Sequence, residues 1–210
     1  MTKMLYQGHG SYRFTMNDGT VVYVDPFAGE GYDVPADLVL VSHEHFDHNQ
    51  IDKMPHAQGC VVVRAADMLP SPGDYRTIES HGVRITAVQA CNGNHPIDKC
   101  VGMVLEFDGI SFYASGDTSM TDDMRSGKLA DMAIDYAVFP GDGKYNMDVA
   151  GASECAKLVA ARHSMLVHMV PMNDPTDKSQ LFSMKRAEAF TGPGRIIVQP
   201  GETIDLHPVA

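Results

Sequence analysis

Ser42-His43-Glu44-His45-Phe46-Asp47-His48 packs three imidazoles and the Asp47 carboxylate into six residues, directly after the apolar run 37–42 (DLVLVS). A compact apolar run of this kind reads as a buried strand. In extended backbone His43 and His45 project to the same side, so both reach one metal ion. The chain must then turn, and Asp47 and His48 can face a second ion a few ångströms away. Imidazole with carboxylate suits zinc, iron, nickel or manganese, and the lack of nearby thiolate argues against a closed structural zinc site. Ligands crowded at the mouth of a buried strand point to a metal site, not to a solvated His-rich loop.

The rest of the chain supplies short β runs first and helices late. Strands are predicted at 12–16 and 20–24 around the turn Asn17-Asp18-Gly19, then at 37–42, 60–64, 83–89, 101–107, 110–114, 136–139, 165–167, 195–198 and 203–206. Helices are predicted at 122–129, at 148–161 with Asn146 or Asp148 as cap, and at 179–190 before Gly192-Pro193-Gly194. Two stacked sheets with helices outside fit this order. A length of 210 residues without a linker or composition shift makes 1–210 a single domain. With 16 Lys and Arg against 27 Asp and Glu, the net charge of −11 opposes binding to a phosphate backbone, so no nucleic-acid partner is expected. No apolar stretch is long enough to span a membrane, and the first residues show no secretory leader, so no membrane partner and a cytoplasmic location are expected. Cys60, Cys91, Cys100 and Cys155 form no CxxC pair and read as free thiols. A homo-oligomer is left open.

The HxHxDH pattern at 43–48 resembles the metallo-β-lactamase-fold metallohydrolases, and other segments extend the likeness over nearly the whole chain. Gly8-His9-Gly10-Ser11 resembles the Gly-His-Ala-Ser opening of a branch that includes ascorbate 6-phosphate lactonase-like proteins. Asp25-Pro26, Asn94-His95-Pro96, Gly116-Asp117-Thr118, Leu166-Val167-His168 and Pro200-Gly201-Glu202 resemble further landmarks of that branch, in the same order. The resemblance implies an α/β fold, a four-layer αββα sandwich of two stacked mixed β-sheets with helices outside. It also implies His43, His45 and His95 on one metal, Asp47, His48 and His168 on the other, and Asp117 between them. Asp117 follows the strand 110–114 through Ser115-Gly116, and Pro96 favours extended backbone at His95. His168 ends an apolar strand as His43 does, whereas its rival His163 precedes that strand; Cys91 is the rival of His95. His9 is read either as orienting a ligand or meeting substrate, or as a structural hydrogen-bonding residue, and Asp25 either as a ligand's partner or as a turn cap.

Such a site implies two divalent ions, zinc first and manganese or iron as alternatives, sharing a hydroxide that attacks a small ester, lactone or phosphoester. Asp47 is expected to serve as both ligand and catalytic base. Ser42 lacks a GxSxG setting and is not expected to be a nucleophile. Lys99, Lys144 and Tyr145 lie in loops that could rim a pocket for a small-molecule substrate, and the loops 27–35, 68–75 and 142–147 are expected to carry specificity. The competing readings are a phosphodiesterase or nuclease of the same fold and a non-catalytic metal-binding protein.

Overall fold

Runs of β-branched and aromatic residues, broken by Gly and Asp turns, become strands in the computed structural model, which describes residues 1–172, 174 and 177–208. In chain order the strands are β1 (Lys3–Gly8), β2 (Ser11–Thr15), β3 (Val21–Val24), β4 (Ala36–Val41), β5 (His56–Arg64), β6 (Thr77–Ser80), β7 (Val83–Gln89), β8 (Val101–Phe107), β9 (Ile110–Ala114), β10 (Tyr136–Pro140), β11 (His163–Val167) and β12 (Thr203–Asp205). The helices are α1 (Ala65–Met68), α2 (Asp122–Arg125), α3 (Val149–Val159) and α4 (Met184–Ala189). One six-stranded sheet has the order β12-β1-β2-β3-β4-β5 and the other β11-β10-β9-β8-β7-β6. Both are mixed: β3, β4 and β5 run parallel, as do β9, β10 and β11, and the remaining pairs are antiparallel.

The sheets stack on a shared core in which Phe14, Leu38 and Leu40 meet Leu105, Phe112 and Val138. Side chains alternate across a strand, so β4 sends Leu38 and Leu40 inward while Val39 and Val41 join a second cluster on its outer face. Burial on both faces explains why residues 38–41 of this strand are apolar without a break. Outside the second sheet, α3 lays Ala152, Cys155, Ala156 and Val159 against Phe139 and Leu166. Asp148 caps it by accepting from the Gly151 N–H at 2.8 Å.

The helical layers are unequal. The outer face of the first sheet is covered by the loop residues Tyr32 and Val34 and by Ile51 of the 3-10 turn Ile51–Lys53, packed on Tyr23, Val39 and Val41. The loop 27–35 therefore serves largely as a lid on this apolar face.

Several elements depart from the sequence reading. β1, β6 and α1 were not expected, and β5 begins at His56, four residues before the predicted start. The helix at 122–129 stops after one turn, where Gly127 takes a left-handed φ of 83°. The segment 179–190 divides into the 3-10 turn Lys178–Gln180 and α4, because Leu181 between them is drawn into a small apolar cluster with Phe27 and Ala28. Residues 195–198 form no strand; Ile196 donates to the Ser164 carbonyl at 2.9 Å, but no ladder follows.

The parallel strands determine where polar chemistry collects. Asp25 follows β3, His43 follows β4, Asp117 follows β9, Asp142 follows β10 and His168 follows β11, so all five leave the carboxyl ends of parallel strands. That edge is where sheets with parallel strands commonly bind ligands. The core beneath it is tightly joined: Phe14 and Phe112 are fully buried with ring centroids 4.9 Å apart. Phe112→Ala is expected to lower unfolding free energy by about 3–5 kcal/mol in urea titration; a loss under about 1 kcal/mol would contradict the packing.

Candidate metal centre

After β4 the chain makes a turn in which the His48 N–H donates to the His45 carbonyl at 3.0 Å. His43 and His48 end buried, Asp47 half-buried and His45 exposed. Two glycines shape the approach of the other residues. A Cβ at Gly10 would stand 2.8 Å from Cε1 of His48, so the glycine leaves room for the ring. Gly116 has φ of 61° and turns the chain so that Asp117 enters the cleft between the sheets. His168 itself adopts φ of 44° and donates its N–H to the His9 carbonyl at 2.8 Å, joining β11 to the β1–β2 hairpin.

Hydrogen bonds behind the rings set their orientation. His48 Nδ1 lies 2.9 Å from Asp25 Oδ2, a carboxylate that can only accept when ionised. Ser42 Oγ donates to the same oxygen at 2.6 Å, so it accepts from His43 Nδ1 at 3.0 Å. Asn92 Nδ2 is committed to Asn146 Oδ1 at 2.9 Å, which leaves Asn92 Oδ1 to accept from His95 Nδ1 at 2.8 Å. His168 Nδ1 faces Asp142 Oδ2 at 3.3 Å. Each ring thus sets its Nδ1 against an oxygen behind it and turns Nε2 toward the cleft.

Three of those Nε2 atoms gather around Asp117. Its Oδ2 is 3.3 Å from His95 Nε2 and 3.4 Å from His168 Nε2, and its Oδ1 is 3.4 Å from His48 Nε2. None of these three nitrogens, nor Nε2 of His43, makes a hydrogen bond, although all are buried. Four buried Nε2 atoms without a hydrogen bond beside a buried carboxylate are a costly arrangement for a polar cluster left to itself. They are the donor set a divalent cation requires, and the residues fit one. Donor atoms of His43, His45 and His95 lie within 4.8 Å of one another, and so do those of His9, Asp47, His48 and His168.

Electrostatics point the same way. Burial opposes the charge of Asp117, yet the imidazoles of His168, His48 and His43 outweigh it and hold the carboxyl well below the usual range. Asp47 is also held low, the hydrogen bond from His9 overcoming burial. Burial first, and then the neighbouring His48, pushes His43 down to about 2; burial lowers His95 as well. His48 and His168 go the other way, because Asp117 with Asp25 or Asp142 overcomes their burial. The carboxylates concentrate negative potential at the point where the lone pairs meet.

All seven residues singled out as candidate ligands therefore come together. His163 does not: it stacks on Tyr136 at 5.0 Å, its Nδ1 3.3 Å from the Gly194 carbonyl. Cys91 joins none of the donor groups found among the described residues. The sequence reading missed Asn92 and Asp142, and saw Ser42 only as a nucleophile to be rejected. Asp142 carried a usable signal, since it follows a buried strand across one glycine much as Asp25 follows β3. Asn92 carried none, because its role depends on the turn that returns the chain to His95.

Two open cavities flank His45. One, about 600 Å³, has an aliphatic wall of Ala65, Ala66, Leu69 and Pro70, with Lys99 at its rim. The other, about 570 Å³, lies over Asp47, Asp117 and His168 between Phe46 and Tyr145. The loops 68–75 and 142–147 contribute to these walls as expected, whereas 27–35 lines neither. Lys144 places its Nζ 4.7 Å over the ring of Tyr145.

Comparison with known proteins finds relatives over nearly the whole chain. A family model described as a β-lactamase superfamily domain matches residues 3–172. A UPF0173 metal-dependent hydrolase of Thermococcus onnurineus is 29% identical, covering 98% of this chain and all of that one. Another from Nitratidesulfovibrio vulgaris is 34% identical over 80% of each chain. Among solved structures, a metallo hydrolase of Ignicoccus hospitalis superposes with a TM-score of 0.70 at 20% identity, covering 97% of this chain and 98% of that one.

In long-range ¹⁵N–¹H spectra of metal-free protein near pH 7, His43 and His95 are expected as neutral rings protonated at Nδ1. Asn92→Ala should release His95 to a mixture of tautomers. A proton on Nε2 of either ring in the parent would contradict the assigned network.

Proposed function

The chain belongs to the β-lactamase superfamily, as a metal-dependent hydrolase of the metallo-β-lactamase fold, and from that premise we propose a dinuclear centre acting on a small ester, lactone or phosphoester. The observation that carries this reading is the set of unpartnered imidazole Nε2 atoms facing Asp117. His43, His45 and His95 would hold one divalent cation, Asp47, His48 and His168 a second, with Asp117 between them. Three imidazoles in one set favour zinc over manganese or iron. When bound, such a pair of cations acidifies water and polarises the carbonyl or phosphoryl group under attack.

The protein's own side chains do the rest. Asp47 keeps 22% of its side chain exposed at the floor of the second cavity, where it can accept a proton from water that substrate has not displaced. His9, against Asp47 Oδ2 at 3.2 Å, keeps that carboxylate ionised. Ser42 is 1% exposed with its hydroxyl donated to Asp25, so it is unavailable as a nucleophile. Cavities of this size suit a small molecule, and their walls leave one side of the cleft aliphatic and the other aromatic.

Metal-replete protein is expected to hold two transition-metal ions per chain by elemental analysis; a firm ceiling at one would overturn the dinuclear reading. His168→Ala should lose one of them, whereas His163→Ala should keep both. Activity on a panel of chromogenic esters, lactones and phosphodiesters should vanish on chelation and return with metal. Asp47→Asn should cost at least about 10²-fold in turnover. Parental rates in Asp47→Asn with both metals bound, or a covalent acyl adduct trapped on Ser42, would exclude the mechanism.

A further inference from the structure

His9 differs from the other buried histidines of the cleft. His43, His48 and His95 each hydrogen-bond an oxygen behind the ring through Nδ1 and leave Nε2 without a hydrogen bond, and His168 turns its Nδ1 to Asp142 Oδ2 at the longer 3.3 Å. In His9 the pattern is reversed: Nε2 lies 3.2 Å from Asp47 Oδ2, and Nδ1 is the buried nitrogen without a partner. An imidazole that ligates a cation ordinarily donates its other N–H to an oxygen that fixes its orientation. In His9 that oxygen belongs to Asp47, itself a member of the donor group, so the Nε2 of His9 meets the site through the Asp47 carboxylate, not through an oxygen behind the ring.

Its placement is nevertheless closely held. The residue is 1% exposed and sits at φ of 54°, a left-handed conformation uncommon outside glycine. Its carbonyl accepts from Tyr6 Oη at 3.0 Å and from the His168 N–H at 2.8 Å. Its ring lies against His168, centroids 3.5 Å apart, with Phe27 edge-on at 5.8 Å. A backbone conformation of this kind is retained when the surroundings over-determine it, and such positions cluster at functional sites.

We propose that His9 is a positioning residue: it donates its Nε2–H to one carboxylate oxygen of Asp47 and so orients the other toward the cation held with His48 and His168. This rests on the two-cation reading above. His9 carries that cation's geometry from the β1–β2 hairpin without touching the metal, and the separate His43, His45 and His95 set does not depend on it.

The test is stepwise titration of metal-free full-length protein with Zn²⁺, and with Co²⁺ followed by its visible absorption. The parent should show two binding steps. In His9→Ala one step should stay within twofold of the parent while the other weakens about 10–100-fold, and His9→Gln, which retains an N–H donor, should recover most of the loss. Adding His9→Ala to Asp47→Asn should weaken the second step by less than a further twofold, since the shared contact is already gone. Two parental steps in His9→Ala overturn the proposal. So does a second step as fully abolished as in His168→Ala with no recovery in His9→Gln, which would make His9 a ligand. If the parent binds only one cation, the two-cation reading is what fails. The contact is then decided in metal-free protein by ¹⁵N–¹H spectra: His9 protonated at Nε2 sustains the proposal, and protonation at Nδ1 overturns it.

Discussion

The carboxylate of Asp25 is the contact on which the site is built. It accepts the Ser42 N–H at 2.7 Å, the Ser42 hydroxyl at 2.6 Å and His48 Nδ1 at 2.9 Å, while only 3% exposed. Its backbone N–H reaches the Leu40 carbonyl at 2.9 Å, and its carbonyl accepts from Ser11 Oγ at 2.7 Å. One residue thereby joins the β1–β2 hairpin, the ends of β3 and β4, and the histidine segment. A buried charge is tolerable only when its acceptor sites are satisfied, and removing one partner leaves an uncompensated ion. Asp25 also sits at φ of 45°, a strained conformation held by the contacts it makes.

From that point the architecture follows from two sheets meeting at one edge. Val101 donates to the Ser42 carbonyl at 3.0 Å and His168 to the His9 carbonyl at 2.8 Å, so backbone hydrogen bonds connect the sheets beside the cleft. Residues at the carboxyl ends of parallel strands from both sheets then face one another across a short gap. The large apolar core below, from Phe14 to Phe112, holds the gap at a constant width. Rigid strands position such groups better than loops would.

What makes this edge chemical is the direction of five buried imidazoles. Carboxylate, hydroxyl and amide oxygens lie behind four of them at Nδ1, and the Nε2 atoms of His48, His95 and His168 converge on Asp117. The fifth, His9, is turned the other way toward Asp47. Fold alone hosts many chemistries, but this arrangement of donors narrows them to those a metal ion serves. The cavities on either side of His45 then provide the surfaces on which substrates can be told apart.

Much of this was legible in the residue order. The apolar run of β4, the turn it must precede and the ligand-rich segment after it lie next to one another in the chain, so local periodicity and donor chemistry were enough to read them. Asp117 and His168 also end apolar strands, and the central strands of both sheets fell close to their expected places. The short edge elements were harder: β6 and the start of β5 have largely exposed residues and little hydrophobic pattern, and Leu181 divides an expected helix because a distant cluster draws it in. Residue order could name His43, His48, His95 and His168, but not which nitrogen of each would be free. That choice belongs to Asp25, Ser42, Asn92 and Asp142. Ser42 and Asn92 lie within three residues of the rings they meet, whereas Asp25 reaches His48 and Asp142 reaches His168 because neighbouring parallel strands end side by side. Only the packing of the two sheets then turns the Nε2 atoms of His48, His95 and His168 onto Asp117, because contacts of about 3 Å depend on space and not on how many residues separate the partners.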